Sequence, residues 1–421
     1  MDKFVIKGGK KLEGRVKVSG AKNSSLALIP AALLNRGVNV FHNTPEVNDI
    51  FTMNKLLMNL GAEITFKDYT LKIDTSGINN QVAPYEQVKK MRASVYVLGP
   101  LLSKYGYAKV SLPGGCAWGP RPINLHLEAM KKLGAQIELE EGYIIAKANK
   151  LHGAKINFDI SSVGATGNAL MAAVMAKGSS LITNAATEPE ITLLANYLAK
   201  MGAKIYGIGS NTLEIDGVDE LEASEIANIG DRIEAGTLLI AGAITKGKIE
   251  IAYDEPNNLL SVTDKLLQTG CDIVFNNGVI SLNAENINLN SVDIITNIFP
   301  GFPTDMQAQW TALMTVANGT STITDNIYFD RFKHVDELNR LGANIEVIKN
   351  SAVVKGVKSL KGAKVMSTDL RASASLVLAG LAAEGLTEVL RIYHLDRGYQ
   401  KIEEKLCSLG ADIKRVATTE Y

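Results

Sequence analysis

Apolar and polar positions along the chain follow a pattern that recurs about every 70 residues. Each copy is an amphipathic helical stretch, then a glycine, then a short alternating run, as in KLLMNLGAEITF and KIEEKLCSLGADIKR. Glycine suits the end of such a helix, because it adopts the left-handed conformation needed there at little steric cost. The six glycines are Gly61, Gly134, Gly202, Gly270, Gly342 and Gly410, with spacings of 73, 68, 68, 72 and 68 residues. The pattern predicts six related units.

A second helix in each unit, which in the second copy is predicted to begin at Lys90, is apolar on nearly every face and rich in small residues, as in LALIPAALL, NALMAAVMA and SLVLAGLAA. Such helices are typically buried, so we expect them inside, with the glycine-ended helices outside. Alternating runs such as LKIDT, TLEIDG and VISLNA predict strands. The fold class predicted is therefore mixed α/β (α+β).

Composition narrows the class of protein. The chain has 421 residues, 46% of them apolar and 21% charged, which is typical of globular proteins with two or three domains. Its 44 basic residues balance 44 acidic ones, so neither a nucleic acid nor a membrane is expected as a partner. The apolar stretches are shorter than the roughly 20 residues of a membrane helix, and the start MDKFVIKGG lacks a signal-peptide block. We therefore expect a cytoplasmic protein.

Several of the apolar helices open with a charged residue. Asp at this position usually caps the helix. Arg or Lys is disfavoured by the helix dipole unless an anion binds nearby. The basic residues concerned, with others in nearby loops, are Lys22, Arg92, Arg121, Arg331, Arg371 and Arg397. They would form a strong anion site if the fold brought them together, which the sequence alone does not show.

The loop SLPGGCAWGPRPINLH, from Ser111 to His126, is the most unusual local stretch. Cys116 lies between glycines and five residues before Arg121, which favours a partly exposed thiol with a lowered pKa. Cys271 and Cys407 are interpreted as small buried apolar residues. Three scattered cysteines predict neither a disulfide framework nor a metal site.

Together with SGAKNSSLALIPAALL, GFPTDMQAQ, RFKHVDELNRLGA and HLDRGYQKIEEKL, the loop PGGCAWGPRP resembles the UDP-N-acetylglucosamine 1-carboxyvinyltransferases of the enolpyruvyl transferase family. The resemblance runs the full length of the chain. It implies two inside-out α/β barrel domains of three repeats each, residues 21–230 and residues 1–20 plus 231–421, with the active site in the cleft between them. It also implies a monomer or weak oligomer without cofactor or metal.

The activity that the resemblance implies is transfer of the enolpyruvyl group of phosphoenolpyruvate to the 3'-hydroxyl of UDP-N-acetylglucosamine, with release of phosphate. This would be the first committed step of peptidoglycan precursor synthesis. Such a reaction passes through a tetrahedral ketal and needs two proton-transfer groups. The resemblance assigns Cys116 as the general acid at the methylene carbon and Asp305 as the base to the sugar hydroxyl, with Asp369 assisting. An exposed Asp has a pKa near ~4, so the environment of Asp305 must perturb it.

Substrate-binding residues follow from the same motifs. Those implied for phosphoenolpyruvate are Lys22, Arg92, Arg121, Arg331, Arg371 and Arg397, with Lys22 and Arg397 also counted as catalytic. Those implied for UDP-N-acetylglucosamine are Asn23, Arg121, Pro122, Asn124, Leu125, Ser162, Val163, Gly164, Asp305 and Ile327.

The chain departs from the family pattern at a few positions. Asn124 replaces the usual Asp, Ile160 stands where some members have Lys, Trp118 is bulky for its loop, and residues 328–330 read Tyr-Phe-Asp. His126, His334 and His394 show no metal-ligand spacing, and His394 is interpreted as a structural or supporting residue.

Two other functions stay open. One is enolpyruvyl transfer to shikimate 3-phosphate, which the loop cysteine disfavours because that sister family does not use it. The other is a non-catalytic protein that senses nucleotide sugars. The presence of Lys22, Cys116, Asp305 and Arg397 together disfavours it, since a pure binder needs no proton-transfer groups.

Overall fold

A computed structural model describes residues 1–89, 91–112 and 123–420. The chain divides into two compact units. We call Gly20–Ile229 the amino-terminal unit, and Met1–Ser19 together with Gly230–Tyr421 the carboxy-terminal unit. Cys116, Trp118, Arg121 and Pro122 lie outside the described residues.

Twenty-four strands are present in the described residues, and all are short. In chain order they are β1 Asp2–Lys7, β2 Glu13–Lys17, β3 Val38–His42, β4 Glu63–Lys67, β5 Thr70–Asp74, β6 Val82–Ala83, β7 Tyr107–Ser111, β8 Gln136–Glu140, β9 Tyr143–Lys147, β10 Lys155–Asn157, β11 Ser179–Thr183, β12 Lys204–Tyr206, β13 Thr212–Asp216, β14 Glu225–Ala227, β15 Lys248–Ala252, β16 Asp272–Asn276, β17 Val279–Asn283, β18 Ile294–Thr296, β19 Thr320–Asp325, β20 Asn344–Ile348, β21 Ser351–Lys355, β22 Lys364–Met366, β23 Leu386–Leu390 and β24 Asp412–Ala417.

Thirteen α-helices lie between these strands in the described part of the chain. They are α1 Lys22–Ala31, α2 Asn48–Leu60, α3 Tyr85–Val88, α4 Leu98–Tyr105, α5 Asn124–Lys132, α6 Val163–Ala173, α7 Pro189–Lys200, α8 Arg232–Ile244, α9 Leu260–Gln268, α10 Gln307–Met314, α11 His334–Arg340, α12 Leu370–Ala382 and α13 Ile402–Ser408. Short 3₁₀ turns cover Ala32–Leu34, Arg92–Val97, Pro256–Leu259, Thr304–Met306 and Ile392–Arg397.

Each unit carries three four-stranded sheets among its described residues. The amino-terminal unit has the orders β14-β3-β5-β4, β6-β7-β9-β8 and β10-β11-β13-β12, and the carboxy-terminal unit has β2-β15-β17-β16, β18-β19-β21-β20 and β22-β23-β1-β24. In all six sheets the first pair is parallel and the next two pairs are antiparallel. The first strands of the chain, β1 and β2, complete two sheets of the carboxy-terminal unit. The sixfold repeat predicted from the glycine spacing is confirmed.

Each unit has its own hydrophobic core, built around the small-residue helices. In α12 every residue from Arg371 to Leu381 is buried, whereas the amphipathic α9 buries only Val262, Thr263 and Leu266. The six repeat glycines all end their helices at φ between 88° and 109°. These features confirm the predicted inner and outer helices and their left-handed ends. No helix within the described residues has the length and apolar character of a membrane span.

Two details differ from expectation. The helix predicted from Lys90 becomes α-helical only at Leu98, after a 3₁₀ turn. Pro100 fits this start, because it lacks an amide proton and is best accommodated in the first turn of a helix, where it lies in α4. The interpretation of Cys407 as buried is wrong, since it is exposed on α13. Its neighbour Leu406 faces the core, which turns Cys407 outward. Cys271 is buried, as expected.

Candidate active site

A cluster of three charged side chains lies in the carboxy-terminal unit at the starts of α10, α11 and α12. Arg331 donates from Nη2 to Oδ1 of Asp305 at 2.8 Å, and Arg371 donates from Nη2 to Oδ2 at 2.8 Å. The two arginines are 5% and 4% exposed, while the Asp305 side chain keeps 27% of its surface. One partly accessible carboxylate is therefore held between two buried guanidinium groups.

The electrostatics of this cluster are set by opposing effects. Burial alone would raise the pKa of Asp305, but the charges and hydrogen bonds of Arg371 and Arg331 hold it well below its usual value. Asp305 is thus ionised and weakly basic in this arrangement. The environment does shift the pKa of Asp305, as its implied role requires. The shift is downward, however, and this disfavours a general base.

Other aspartates that open apolar helices behave differently from Asp305. Asp231 accepts the amides of Ile233 and Glu234, so it caps α8. Asp369 accepts the amides of Arg371 and Ala372, so it caps α12. Capping was the expected role of such residues. In the structure, Asp369 fixes the helical turn that presents Arg371.

Arg397 ends the 3₁₀ turn Ile392–Arg397 and is partly buried. Burial lowers the pKa of His394, and next the charge of Arg397 lowers it further. Two residues on, the Tyr399 ring lies under the Arg371 guanidinium, 5.3 Å from ring centre to Cζ. The Tyr399 hydroxyl contacts Thr237 Oγ1 at 2.9 Å and accepts from Gln309 Nε2 at 3.0 Å.

Asp325, at the end of β19, is a buried carboxylate that the sequence reasoning missed. Its Oδ1 accepts the amides of Ile327 and Tyr328, both at 2.9 Å, and its Oδ2 accepts the Thr304 hydroxyl at 2.7 Å. Thr304 in turn accepts from Arg331 Nη1 at 2.9 Å. The departure at Tyr328 also reaches this cluster, since its ring centre lies 5.5 Å from Arg331 Cζ. The only sequence signal was a polar residue at a strand end, which is too common to single out Asp325.

In the amino-terminal unit, Lys22 opens α1 and pairs through Nζ with Oδ2 of Asp49 at 2.7 Å. Both side chains are almost completely buried. Asn23 follows in the same turn and is partly buried. The lysine implied for phosphoenolpyruvate binding is therefore held in place by a carboxylate from α2, although no sequence feature pointed to Asp49.

The N-terminus of α6 carries the residues implied for the nucleotide. The Ser162 hydroxyl accepts the Ala165 amide at 3.3 Å, and the Val163 carbonyl accepts the Tyr96 hydroxyl at 3.4 Å. Gly164 lies against the His126 ring, so that a Cβ there would come within 3.1 Å of it. Ile160, where some relatives have Lys, is 71% exposed just before this turn.

His126 joins this turn to two other segments. Asn168 Nδ2 donates to His126 Nδ1 at 2.8 Å and to the Val95 carbonyl at 2.9 Å, while its Oδ1 accepts the Gly99 amide. Because an amide nitrogen only donates, Nδ1 of His126 is the acceptor and its proton resides on Nε2. Burial, and next the charge of Arg92, lower the pKa of His126 to about 4. His126 is thus a neutral buried residue.

The structure brings together some of the implied site residues and leaves others apart or undescribed. Asp305, Arg331 and Arg371 form one cluster, with Asp369 supporting Arg371 and Asp325 connecting Ile327 to it. Asn124 and Leu125 begin α5 directly before His126, with Asn124 exposed. Cys116, Arg121 and Pro122 lie outside the described residues. Among the described residues, no His, Cys, Asp and Glu side chains are grouped as metal ligands.

Comparison with known proteins identifies the family. The family model described as EPSP synthase (3-phosphoshikimate 1-carboxyvinyltransferase) matches residues 6–406. Two proteins named UDP-N-acetylglucosamine 1-carboxyvinyltransferase are 59% and 58% identical, from Chloroherpeton thalassium and Chlorobium limicola, and each match covers 100% of this chain and at least 99% of the relative. The chain belongs to the enolpyruvyl transferase family, in its UDP-N-acetylglucosamine 1-carboxyvinyltransferase branch. It is an enzyme of the transferase class.

Solved structures agree on the fold. The enolpyruvyl transferase NikO from Streptomyces tendae superimposes with a TM-score of 0.90 at 26% identity, over 99% of each chain. An EPSP synthase from Acinetobacter baumannii superimposes with a TM-score of 0.75 at 18% identity, over 99% of this chain and 100% of that one. The two-domain inside-out α/β fold implied by the sequence motifs is that of the family.

Proposed function

We propose that the protein transfers the enolpyruvyl group of phosphoenolpyruvate to the 3'-hydroxyl of UDP-N-acetylglucosamine, releasing phosphate, in the first committed step of peptidoglycan precursor synthesis. The observation that carries the choice of acceptor is the 59% identity, over the whole chain, to a protein named for this reaction. The geometry of the carboxy-terminal unit supports the chemistry, since the Asp305 cluster offers two buried guanidinium groups for an anion and a carboxylate for a proton.

The reaction proceeds in two steps, an addition and an elimination. In the addition, the sugar 3'-oxygen bonds to C2 of phosphoenolpyruvate, its proton passes to a base, and C3 gains a proton from an acid. In the elimination, C3 loses a proton and the bond between C2 and the phosphate oxygen breaks, which releases phosphate and restores the double bond. We assign Cys116 as the acid at C3 and Asp305 as the base at the sugar hydroxyl, with Lys22 and Arg397 on the phosphate.

Substrate binding changes the basicity of Asp305 in this scheme. While both arginines donate to Asp305, its pKa lies well below the usual value and it accepts a proton poorly. The carboxylate of phosphoenolpyruvate competes for the same guanidinium donors. As Arg331 and Arg371 turn to that carboxylate, Asp305 loses its strongest stabilising partners and its pKa rises. The base therefore becomes effective only when phosphoenolpyruvate is bound.

The nucleotide is assigned to the start of α6 and to the start of α5 with the residues just before it. The amides at the N-terminus of α6 are suited to a phosphate, because the first amides of a helix lack an acceptor in the preceding turn of the helix and lie at the positive end of the helix dipole. Ser162, Val163 and Gly164 lie in this turn, and Asn124 and Leu125 open α5. Exposed Ile160 supplies no charge here, so we infer that the diphosphate relies on backbone amides and on Arg121.

A phosphate-release assay with two acceptors tests the proposed function. We expect release with UDP-N-acetylglucosamine and phosphoenolpyruvate, and none with shikimate 3-phosphate. The Cys116→Ser variant should lose most of this turnover, and Cys407→Ser, which removes an exposed thiol on α13, should keep it. Release with shikimate 3-phosphate alone would contradict the proposed acceptor. Full activity of Cys116→Ser would contradict the proposed acid.

The proposal includes the cytoplasm as the place of reaction and a monomer or weak oligomer as the active form. Cell fractionation tests the first, and light scattering of the purified protein with and without both substrates tests the second.

A further inference from the structure

Asp325 is a buried acidic group of the carboxy-terminal unit that the proposed mechanism does not use. It is 0% exposed and makes no ion pair with any described residue. Its charge is met instead by four hydrogen bonds, from two hydroxyls and two backbone amides. A buried carboxylate costs free energy unless its hydrogen bonds are kept, so this arrangement holds its partners firmly in place.

The direction of the hydrogen bonds is fixed along one branch of this network. Arg331 has only donors, so the Thr304 oxygen must accept from its Nη1. The single proton of Thr304 then points to Oδ2 of Asp325 at 2.7 Å. The chain of donation runs from Arg331 to Thr304 to Asp325. The Asp325 charge thereby strengthens the hydrogen bond that Thr304 accepts from the Arg331 guanidinium.

The other branch of the network reaches a different part of the predicted site. Oδ1 of Asp325 accepts the Thr296 hydroxyl at 2.8 Å and the amides of Ile327 and Tyr328 at 2.9 Å. Thr296 in turn accepts the Asn326 amide at 3.1 Å. Two threonines thus relay to the same carboxylate, one from the Arg331 side chain and one from the backbone of the turn that carries Ile327.

We propose that Asp325 is a positioning residue that fixes Arg331 through the Thr304 hydroxyl and fixes the turn at Ile327 through backbone amides. This inference rests on the proposed function, in which Arg331 binds the carboxylate of phosphoenolpyruvate. It adds a residue that orients both substrate-binding features without touching substrate. Arg331 is held on one side by Asp305 and on the other by Thr304. When the substrate carboxylate displaces Asp305, the hydrogen bond to Thr304 keeps the guanidinium in place.

Matched threonine variants separate positioning from general stability. Thr304→Val removes the hydroxyl between Asp325 and Arg331, and we expect the KM for phosphoenolpyruvate to rise roughly 10- to 100-fold, as for a lost hydrogen bond to a charged group. The KM for UDP-N-acetylglucosamine should stay within about twofold. Thr304→Ser, which keeps the hydroxyl, should restore the wild-type value. Thr296→Val removes the parallel relay and should leave the KM for phosphoenolpyruvate within about twofold while lowering the melting temperature.

Asp325→Asn should raise the KM for both substrates, because it weakens both branches. An unchanged KM for phosphoenolpyruvate in Thr304→Val would overturn the proposal, as would an equal rise in Thr296→Val. Calorimetric titration with phosphoenolpyruvate, in the presence of the nucleotide sugar, repeats the comparison without turnover. If the wild-type enzyme showed no activity on UDP-N-acetylglucosamine, the proposed function would be contradicted. Weaker binding of phosphoenolpyruvate in Thr304→Val and Asp325→Asn, but not in Thr296→Val, would still support the role of Asp325.

Discussion

Aspartates with similar sequence positions differ in their partners, and this decides what each can do. Asp369 accepts two backbone amides of α12, whereas Asp305 accepts two guanidinium groups from residues 26 and 66 positions away. A cap stabilises a helix, and Asn can replace Asp in that role. A carboxylate between two arginines offers a charge and a proton acceptor, which Asn cannot replace.

The contrast predicts unequal effects of the same substitution. We expect Asp305→Asn to lower kcat at least ~100-fold, the usual effect of losing a general base, and Asp369→Asn to lower it only a few-fold. Steady-state kinetics with both substrates saturating would measure this, and circular dichroism would show that both variants are folded. A loss of ~100-fold in Asp369→Asn would instead assign Asp369 a part in proton transfer.

Residue types in this site could be predicted from the sequence, but their pairing could not. The motifs around Lys22, Asp305 and Arg331 pointed to an anion site and a base. That Arg331 and Arg371 both donate to Asp305 depends on distances set by the packing of three helix starts. Asp325 was missed for the same reason, since its importance comes from four partners spread from residue 296 to residue 328.

At the scale of elements, the repeat was the most predictable feature. Glycine spacing and apolar pattern predicted an outer helix, an inner helix and short strands in each of six copies, because each copy must end a helix and bury a sheet in the same way. The specialised helix starts were less predictable. The first turn of α6 is crowded by His126, and α4 begins late, with Pro100 in its first turn.

Crowding at α6 predicts a specific effect of Gly164→Ala. The added Cβ would lie 3.1 Å from the His126 ring, so the ring or the turn must shift by a few tenths of an ångström. We expect the KM for UDP-N-acetylglucosamine to rise several-fold and the KM for phosphoenolpyruvate to stay unchanged. Ser162→Ala, which removes the cap without adding an atom, should lower stability by about 1 kcal/mol. Equal KM changes for both substrates in Gly164→Ala would contradict this assignment of α6.

At the scale of the whole molecule, each unit has its own core and its own buried neutral histidine. Burial, and next a neighbouring arginine, lower the pKa of His126 to about 4 and that of His334 to about 3. The arginines are Arg92 for His126 and Arg331 for His334. Both histidines bind a proton more readily in the unfolded chain, where the pKa is near 6.5. The stability that they contribute is therefore complete above pH 6.5 and is lost as the pH falls toward their folded values.

A fall in pH from 6.5 toward 4 should thus destabilise both units. For His126 the interval from 6.5 to about 4 corresponds to roughly 3 kcal/mol. We expect His126→Gln, which keeps an acceptor for Asn168, to remove much of this loss in Gly20–Ile229 only, and His334→Phe to act only in the other unit. Hydrogen exchange resolved by peptide at pH 7 and pH 4.5 would measure each unit separately. If His126→Gln protected peptides of both units equally, or left the acid loss unchanged, the buried histidine would not be the cause, and another titrating group would have to account for the fall in stability.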